Sequence, residues 1–241
     1  MEDAAMEDAA KLPAAAGACR HTAAMPTLNA RALLFDLDGT LVDSRRNVEQ
    51  MWRAWCEKES VDPEALLAVS EGRQGKSVVA EFAPHLDPVA EDEWIIQYQL
   101  DQTGDVDRVP GVRAMLDSLG TVGDGPRWAI VTSCTQAMAT KRLDSADLPH
   151  PPLLVAADDI SRSKPDPEGF EIAASRLQVA DAADCLVFED SAAGLRAAAT
   201  AGMQAVAITS ATRDTPTAEH AVADWTGVRI RRDESRWQVT F

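Results

Sequence analysis

The chain has 241 residues and a formal net charge of −16, from 23 Lys and Arg against 39 Asp and Glu. Nucleic-acid binding depends on lysine and arginine side chains that meet phosphates, so this acidic chain is not expected to bind DNA or RNA. No apolar run reaches the roughly 20 residues that a membrane-spanning helix needs, and the 46% of hydrophobic residues is typical of a globular protein, which excludes an integral membrane protein.

Residues 1–29 are predicted to be a disordered tail. They open with a direct repeat, MEDAA-MEDAA, and continue in an alanine-rich stretch without helical or strand periodicity. The acidic residues of the repeat are unlike the basic start of a secretory signal and unlike an arginine-rich mitochondrial leader. The four cysteines have neither zinc-binding nor disulfide spacing, which is typical of thiols in a reducing compartment. We therefore predict a cytoplasmic protein.

A buried strand and a helical block come next in the chain. The short apolar run Arg31–Leu37 leads into Asp-Gly, a pattern typical of a strand closed by a turn. Residues 45–109 contain helical patterns and no convincing strand; Val48, Trp52 and Trp55, for example, recur at helical spacing. We interpret the two tryptophans as core residues of this block rather than as a platform for a sugar ring.

After residue 110, predicted strands and helices alternate. The helices are Val112–Leu119, Thr135–Leu143, Asp166–Leu177 and Ala192–Ala199, and the strands are Trp128–Val131, Leu153–Ala156, Cys185–Phe188 and Ala205–Ile208. Repeated units of this kind build a parallel sheet with helices on both faces. The sequence therefore predicts an α/β, Rossmann-like core formed by residues 30–44 and 110–241, with an all-helical cap at 45–109 inserted after the first strand.

Polar residues follow several of these strands, at the edge of the sheet where ligands bind in open parallel sheets. They are Asp36 and Asp38, Thr132 and Ser133, Lys164, and Glu189 with Asp190. Clustered carboxylates need a cation to remain ionised, and oxygen ligands suit Mg²⁺. A lysine and a threonine hydroxyl beside them would complete a pocket for a phosphoryl group, and a carboxylate can itself act as the nucleophile.

These residues resemble, in order, the four motifs of the haloacid dehalogenase superfamily. The matching strings are Asp36-Leu-Asp-Gly-Thr-Leu-Val-Asp43, Ile130-Val-Thr-Ser133, Lys164-Pro-Asp-Pro and Val187-Phe-Glu-Asp-Ser191. The resemblance extends over about residues 30–210 and includes a helical cap after the first motif, as in the small-capped subfamily. It implies an enzyme that works through an aspartyl phosphate.

The resemblance also implies a role for each catalytic residue. Asp36 would be the nucleophile that attacks phosphorus, and Asp38 would protonate the leaving alcohol and then activate water. Thr132 would bind a phosphoryl oxygen, and Lys164 would hold both Asp36 and the phosphate. Because dehalogenases of the superfamily lack the second aspartate, Asp38 indicates phosphoryl chemistry.

The metal implied by the resemblance is Mg²⁺. It would be held by a carboxylate oxygen of Asp36, the backbone carbonyl of Asp38, the carboxylate of Asp190 and, directly or through water, Glu189.

Within the superfamily the chain resembles the sugar- and polyol-phosphatase branch, which includes 2-deoxyglucose-6-phosphate and glycerol-phosphate phosphatases. The supporting strings are Trp128–Ser133, Gly72–Gln74 and Val187–Asp190, while Glu71 departs from the histidine that relatives often carry there. We therefore expect a monomer or weak dimer that acts on a small phosphorylated metabolite, with Ser133, Arg73 and Gln74 as substrate contacts. A β-phosphoglucomutase-like phosphoryl transfer and a non-catalytic binding protein are the alternatives.

Overall fold

A computed structural model describes residues 26–70, 73, 75–102, 106–120, 127–211, 218–233 and 236–241. The strands are β1 (Thr27–Ala30), β2 (Ala32–Phe35), β3 (Val42–Asp43), β4 (Asp107–Arg108), β5 (Trp128–Val131), β6 (Leu154–Val155), β7 (Cys185–Glu189), β8 (Gln204–Ile208), β9 (His220–Val222), β10 (Arg229–Asp233) and β11 (Arg236–Thr240). The helices are α1 (Arg45–Glu59), α2 (Pro63–Leu67), α3 (Gly75–Phe82), α4 (Pro88–Asp101), α5 (Val112–Leu119), α6 (Gln136–Ser145), α7 (Glu168–Arg176) and α8 (Ala192–Thr200).

The centre of the molecule is a six-stranded sheet in the order β6-β5-β2-β7-β8-β9, with every pair parallel. Strand β2 lies between β5 and β7 and is buried at every residue, as its uninterrupted apolar sequence predicts. The α/β, Rossmann-like architecture expected from the alternating elements is thereby confirmed. Because parallel strands end at the same edge, the residues that follow β2, β5 and β7 come together there.

The two faces of the sheet have separate hydrophobic cores. Successive side chains of a strand point to opposite faces. Accordingly, Leu33 and Phe35 pack with residues of α5 and α6, and Ala32 and Leu34 pack with residues of α7 and α8. Both cores are closed by helices, which fixes the position of the strand ends that carry the polar residues.

Helices α1 to α4 form a third core of their own. Trp52 and Trp55 lie in its centre, 3% and 0% exposed, with an edge-to-face contact of 5.8 Å between ring centroids. The tryptophans are core residues, as their helical spacing predicted. The two chain segments that join this cap to the sheet pair with each other, because β3 and β4 are antiparallel, with Val42 opposite Arg108.

A second sheet, in the order β1-β11-β10, ties the start of the described chain to its end. Strand β1 pairs with β11 along its whole length, from Thr27 opposite Thr240 to Ala30 opposite Trp237. The prediction of disorder up to residue 29 is therefore wrong for residues 27–29, because they form a strand that pairs with β11. Residues 1–25 lie outside the described residues. The C-terminal residues supply the other two strands of this sheet, β10 and β11, which pair antiparallel with each other.

Among the described residues, no helix combines the length and the hydrophobicity that a membrane crossing requires.

Candidate active site

The nucleophile predicted from the sequence, Asp36, directly follows β2. Its backbone N–H donates to the carbonyl of Phe188 at 2.9 Å, which continues the pairing of β2 with β7 by one residue. The chain then turns at Gly39, whose φ of +82° is in the region that favours glycine. A side chain at Gly39 would also collide with the carboxylate of Asp190. The turn therefore lets the first motif lie directly against the fourth.

Lys164 joins the first motif to the fourth. Its ammonium donates to Asp36 Oδ1 at 2.5 Å, to Glu189 Oε2 at 2.9 Å and to the carbonyl of Val131 at 3.1 Å. Burial by itself lowers the pKa of this lysine, but the adjacent charges of Asp36 and Glu189 outweigh burial and raise it. The lysine is consequently a fixed positive charge beside Asp36.

Glu189 is held on both oxygens. In addition to the contact with Lys164, its Oε1 accepts from the hydroxyl of Ser191 at 2.6 Å. Ser191 in turn caps α8 by accepting from the backbone N–H of Gly194 at 3.0 Å. Only 1% of Glu189 is exposed, and a Cβ at Gly194 would overlap its carboxylate. The residue is therefore locked in place by its neighbours, and Ser191 and Gly194 belong to the site although they were not among the predicted site residues.

Asp36, Glu189 and Asp190 form a compact carboxylate cluster. One oxygen from each can be chosen so that all three lie within 4.8 Å of one another. Burial, followed by the charge of Glu189, raises the pKa of both Asp36 and Asp190 above the ordinary aspartate value. Lys164 balances only part of this negative charge. An all-oxygen cluster with excess negative charge fits Mg²⁺, which prefers carboxylate ligands.

Asp38 lies beside the cluster and is paired with an arginine that the sequence analysis did not single out. Its Oδ2 accepts from Nη1 of Arg142 on α6, and its Oδ1 is buried without a hydrogen-bond partner in the described part of the chain. The second terminal nitrogen of Arg142 donates to Oε1 of Gln99 in the cap at 2.8 Å. A signal for Arg142 was present, because it stands three and four residues after the buried Ala139 and Met138, on the apolar side of its helix.

Thr132 and Ser133 follow β5 and line the same small pocket as Lys164. Thr132 is 3% exposed, and its hydroxyl oxygen accepts from the backbone N–H of Cys134 at 3.2 Å; Ser133 is exposed. Burial, together with the charge of Asp38, raises the pKa of the Cys134 thiol to about 12. Cys134 is therefore a neutral thiol rather than a thiolate nucleophile.

The two cap residues expected to contact substrate are not brought to the cluster by any contact among the described residues. Arg73 is paired with Glu81 at 2.8 Å and with the hydroxyl of Ser77 at 3.1 Å, both in α3. Gln74 lies outside the described residues. Their part in substrate binding stays a prediction.

An aromatic cluster supports the active-site turn from below. Phe35 and Phe188, at the ends of adjacent strands, stack with 5.1 Å between ring centroids, and Trp225 packs against both. The indole N–H of Trp225 donates to the carbonyl of Thr40 at 2.8 Å. This bond fixes the backbone just beyond Gly39 and so stabilises the position of Asp36 and Asp38.

Comparison with known proteins agrees with this arrangement. A sequence profile of the haloacid dehalogenase-like hydrolases matches residues 33–208. Hexitol phosphatase A of Escherichia coli (strain K12) is 34% identical over 192 residues, 78% of this chain and 87% of the relative. The 2-deoxyglucose-6-phosphate phosphatase 2 of Saccharomyces cerevisiae is 29% identical over 77% of this chain and 82% of its own.

A solved structure of a hydrolase from Pseudomonas syringae has a TM-score of 0.68 at 25% identity, covering 80% of this chain and 94% of that one. The fold, the cluster of motif residues and the profile match all agree with the resemblance drawn from the four sequence strings. This chain belongs to the haloacid dehalogenase-like hydrolase family.

Proposed function

We propose that this protein is a Mg²⁺-dependent phosphomonoester hydrolase that acts on a small sugar or polyol phosphate. The observation that carries the proposal is Asp36 itself. It is a buried carboxylate, bonded to Lys164 at 2.5 Å, in a cluster with Glu189 and Asp190, and a second aspartate lies two residues further on. A nucleophile, a cation beside it and a group for proton transfer are thus together at one edge of the sheet.

The proposed reaction has two steps. In the first, an oxygen of Asp36 bonds to phosphorus while the bond to the leaving oxygen breaks, and Asp38 donates a proton to that oxygen. In the second, water attacks the same phosphorus, Asp38 takes its proton, and the bond to Asp36 breaks to release inorganic phosphate. Lys164 orients Asp36 and attracts the phosphoryl oxygens, and Thr132 is assigned a hydrogen bond to one of them.

The residues proposed to hold Mg²⁺ are Asp36 and Asp190 through their carboxylates and Asp38 through its backbone carbonyl. Bound there, the ion supplies positive charge that offsets the carboxylates and the phosphoryl group. We propose that Glu189 contacts the ion through a water molecule rather than directly. Both of its oxygens already accept hydrogen bonds, from Lys164 and Ser191.

The substrate class rests on the relatives and on the position of the cap. Two of the relatives are named for hexitols and for 2-deoxyglucose 6-phosphate. Ser133 is proposed to bind the phosphoryl group, and Arg73 and Gln74 are proposed to contact the leaving group. A cytoplasmic location is also proposed, and the free thiols of the described Cys56, Cys134 and Cys185 are in keeping with it.

The proposal is tested by phosphate release from 2-deoxyglucose 6-phosphate, sorbitol 6-phosphate, glycerol 1-phosphate and nucleoside monophosphates, with Mg²⁺ and with EDTA. We expect release that requires Mg²⁺ and that is abolished in Asp36→Asn. Failure of folded protein to hydrolyse any of these esters would refute it. Conversion of glucose 1-phosphate to glucose 6-phosphate without net phosphate release would identify the β-phosphoglucomutase-like alternative instead.

A further inference from the structure

Arg142 is almost completely buried, and its contacts connect the two parts of the molecule. Only 4% of its side chain is exposed. One terminal nitrogen pairs with Asp38 of the core, and the other donates to Gln99 of α4 in the cap at 2.8 Å. The planar guanidinium presents its donors in a fixed fork, so the direction of one bond constrains the direction of the other.

The pair is not explained by stability alone. Removing two charges from water is so unfavourable that an apolar pair of similar volume is often at least as stable as a buried ion pair. In addition, Nε of Arg142 is buried without a partner in the described part of the chain. An apolar residue at position 142 would continue the buried side of α6 next to Leu143. The arginine therefore needs another reason to be there.

The contacts of Asp38 supply that reason. Arg142 holds Oδ2, whereas Oδ1 is buried and has no hydrogen-bond partner among the described residues. Of the two oxygens, Oδ1 is thus the one whose capacity to form a hydrogen bond is unused. A carboxylate with one oxygen fixed also keeps a single orientation, which proton transfer to and from a substrate oxygen requires.

We propose that Arg142 is a positioning residue that directs Oδ1 of Asp38 to the proton transfers, and that Gln99 makes this orientation depend on the placement of the cap. The inference rests on the proposed function. In the first step the proton leaves Oδ1 for the departing oxygen, and in the second the proton of the attacking water returns to Oδ1. A shift of α4 removes one of the two anchors of the guanidinium, so Asp38 is correctly oriented only with the cap in place.

The test compares two esters that differ in their need for a proton. A sugar alkoxide is strongly basic and leaves only when protonated, whereas p-nitrophenolate is a stable anion and leaves without much help. We expect Arg142→Met to lower kcat/KM for 2-deoxyglucose 6-phosphate by about 10²-fold, within the range of general acid catalysis, and kcat/KM for p-nitrophenyl phosphate much less. The quantity compared is kcat/KM because it reports the first step, whereas hydrolysis of the aspartyl phosphate is common to both esters. Lys141→Met is the matched control, because it removes a positive charge from the adjacent position of α6. It should leave the ratio of kcat/KM for the two esters unchanged.

Gln99→Leu removes the cap contact alone, and we expect it to lower the same ratio by about fivefold. Arg142→Lys keeps a charge for Asp38 but cannot form both bonds in one plane, so it should resemble Gln99→Leu. The double variant Arg142→Lys/Gln99→Leu should then have a ratio no lower than that of either single variant. Thermal unfolding with and without Mg²⁺ establishes that each variant is folded and retains its metal site.

An equal loss of kcat/KM for both esters in folded Arg142→Met would mean a structural role and would overturn the proposal. An unchanged ratio in Gln99→Leu would refute the dependence on the cap. If wild-type protein hydrolysed neither ester, the proposed function itself would fail, and the positioning role with it.

Discussion

Replacement of Gly194 by alanine tests whether the placement of Glu189 controls the active site. The Cβ would lie well within 3.0 Å of the carboxylate of Glu189, a separation that real Cβ atoms do not adopt. Gly194 has no positive φ, so the effect is one of space and not of backbone strain. A free glutamate would simply rotate away, but this one is bonded to Lys164 at 2.9 Å and to Ser191 at 2.6 Å.

The magnitude follows from these contacts. Restoring normal separation moves the carboxylate by about 1 Å, and a misplacement of that size in an active site lowers the rate by about 10²-fold. Weakening a buried hydrogen bond to a charged group lowers the free energy of unfolding by about 1.5–3 kcal/mol. The better helix propensity of alanine offsets up to about 1 kcal/mol of this. We therefore expect a large loss of kcat with only a modest loss of stability.

The assay is steady-state phosphate release together with thermal unfolding. Gly227→Ala is the matched control, because a Cβ there meets nothing within 4 Å. Glu189→Asp shortens the side chain by one methylene and so makes room for the Cβ at position 194. We therefore expect Glu189→Asp to lower the rate much less in Gly194→Ala than in the wild-type protein. Near wild-type activity of Gly194→Ala, or fully additive effects of the two changes, would contradict the view that Lys164 and Asp36 depend on a fixed Glu189.

Three further predictions concern the carboxylates and the aromatic support. Burial raises the pKa of Asp190, so the stability that its protonated form gives the metal-free fold is lost as pH rises. Because asparagine stays neutral at every pH, Asp190→Asn should raise Tm in EDTA at neutral pH by about 2–4 °C. The same substitution should abolish stabilisation by Mg²⁺. Because protons compete for Asp36 and Asp190, calorimetric titration should find Mg²⁺ affinity falling as pH is lowered, and a constant affinity would contradict the raised pKa values. Trp225→Phe leaves the carbonyl of Thr40 unpaired, so chemical denaturation should show the free energy of unfolding lowered by about 1–3 kcal/mol, and kcat should fall. Unchanged stability would contradict the view that Trp225 supports the turn after Asp36.

The motif residues were predictable from the sequence because each follows a strand that is apparent locally. The sequences of β2 and β5 are short and uniformly apolar, and such strands can be predicted without knowledge of the strands they pair with. Parallel pairing then brings Asp36 and Thr132 to one edge, so a rule about sheets sufficed to group them.

The features that the sequence analysis missed depend on distant partners. Strand β1 alternates in exposure and is stabilised by β11, more than 200 residues away, so nothing local distinguishes it from a tail. Arg142 is an ordinary basic residue of a helix until α6 is placed against the turn that holds Asp38, 104 residues earlier in the chain. Gly194 is informative only when the side chain of Glu189 is known to fill its space.

The pairing of β3 with β4 places the entry and the exit of the cap side by side. Val42 lies opposite Arg108, so the two ends of the inserted segment are separated by no more than the distance between adjacent strands. A hairpin turn of two residues would close the same gap. The segment between them is thus an insertion at a single junction of the chain. Asp36, Glu189 and Asp190 all lie on the sheet side of this junction, whereas Asp38 is also linked to the insertion, through the contacts of Arg142 with Asp38 and Gln99.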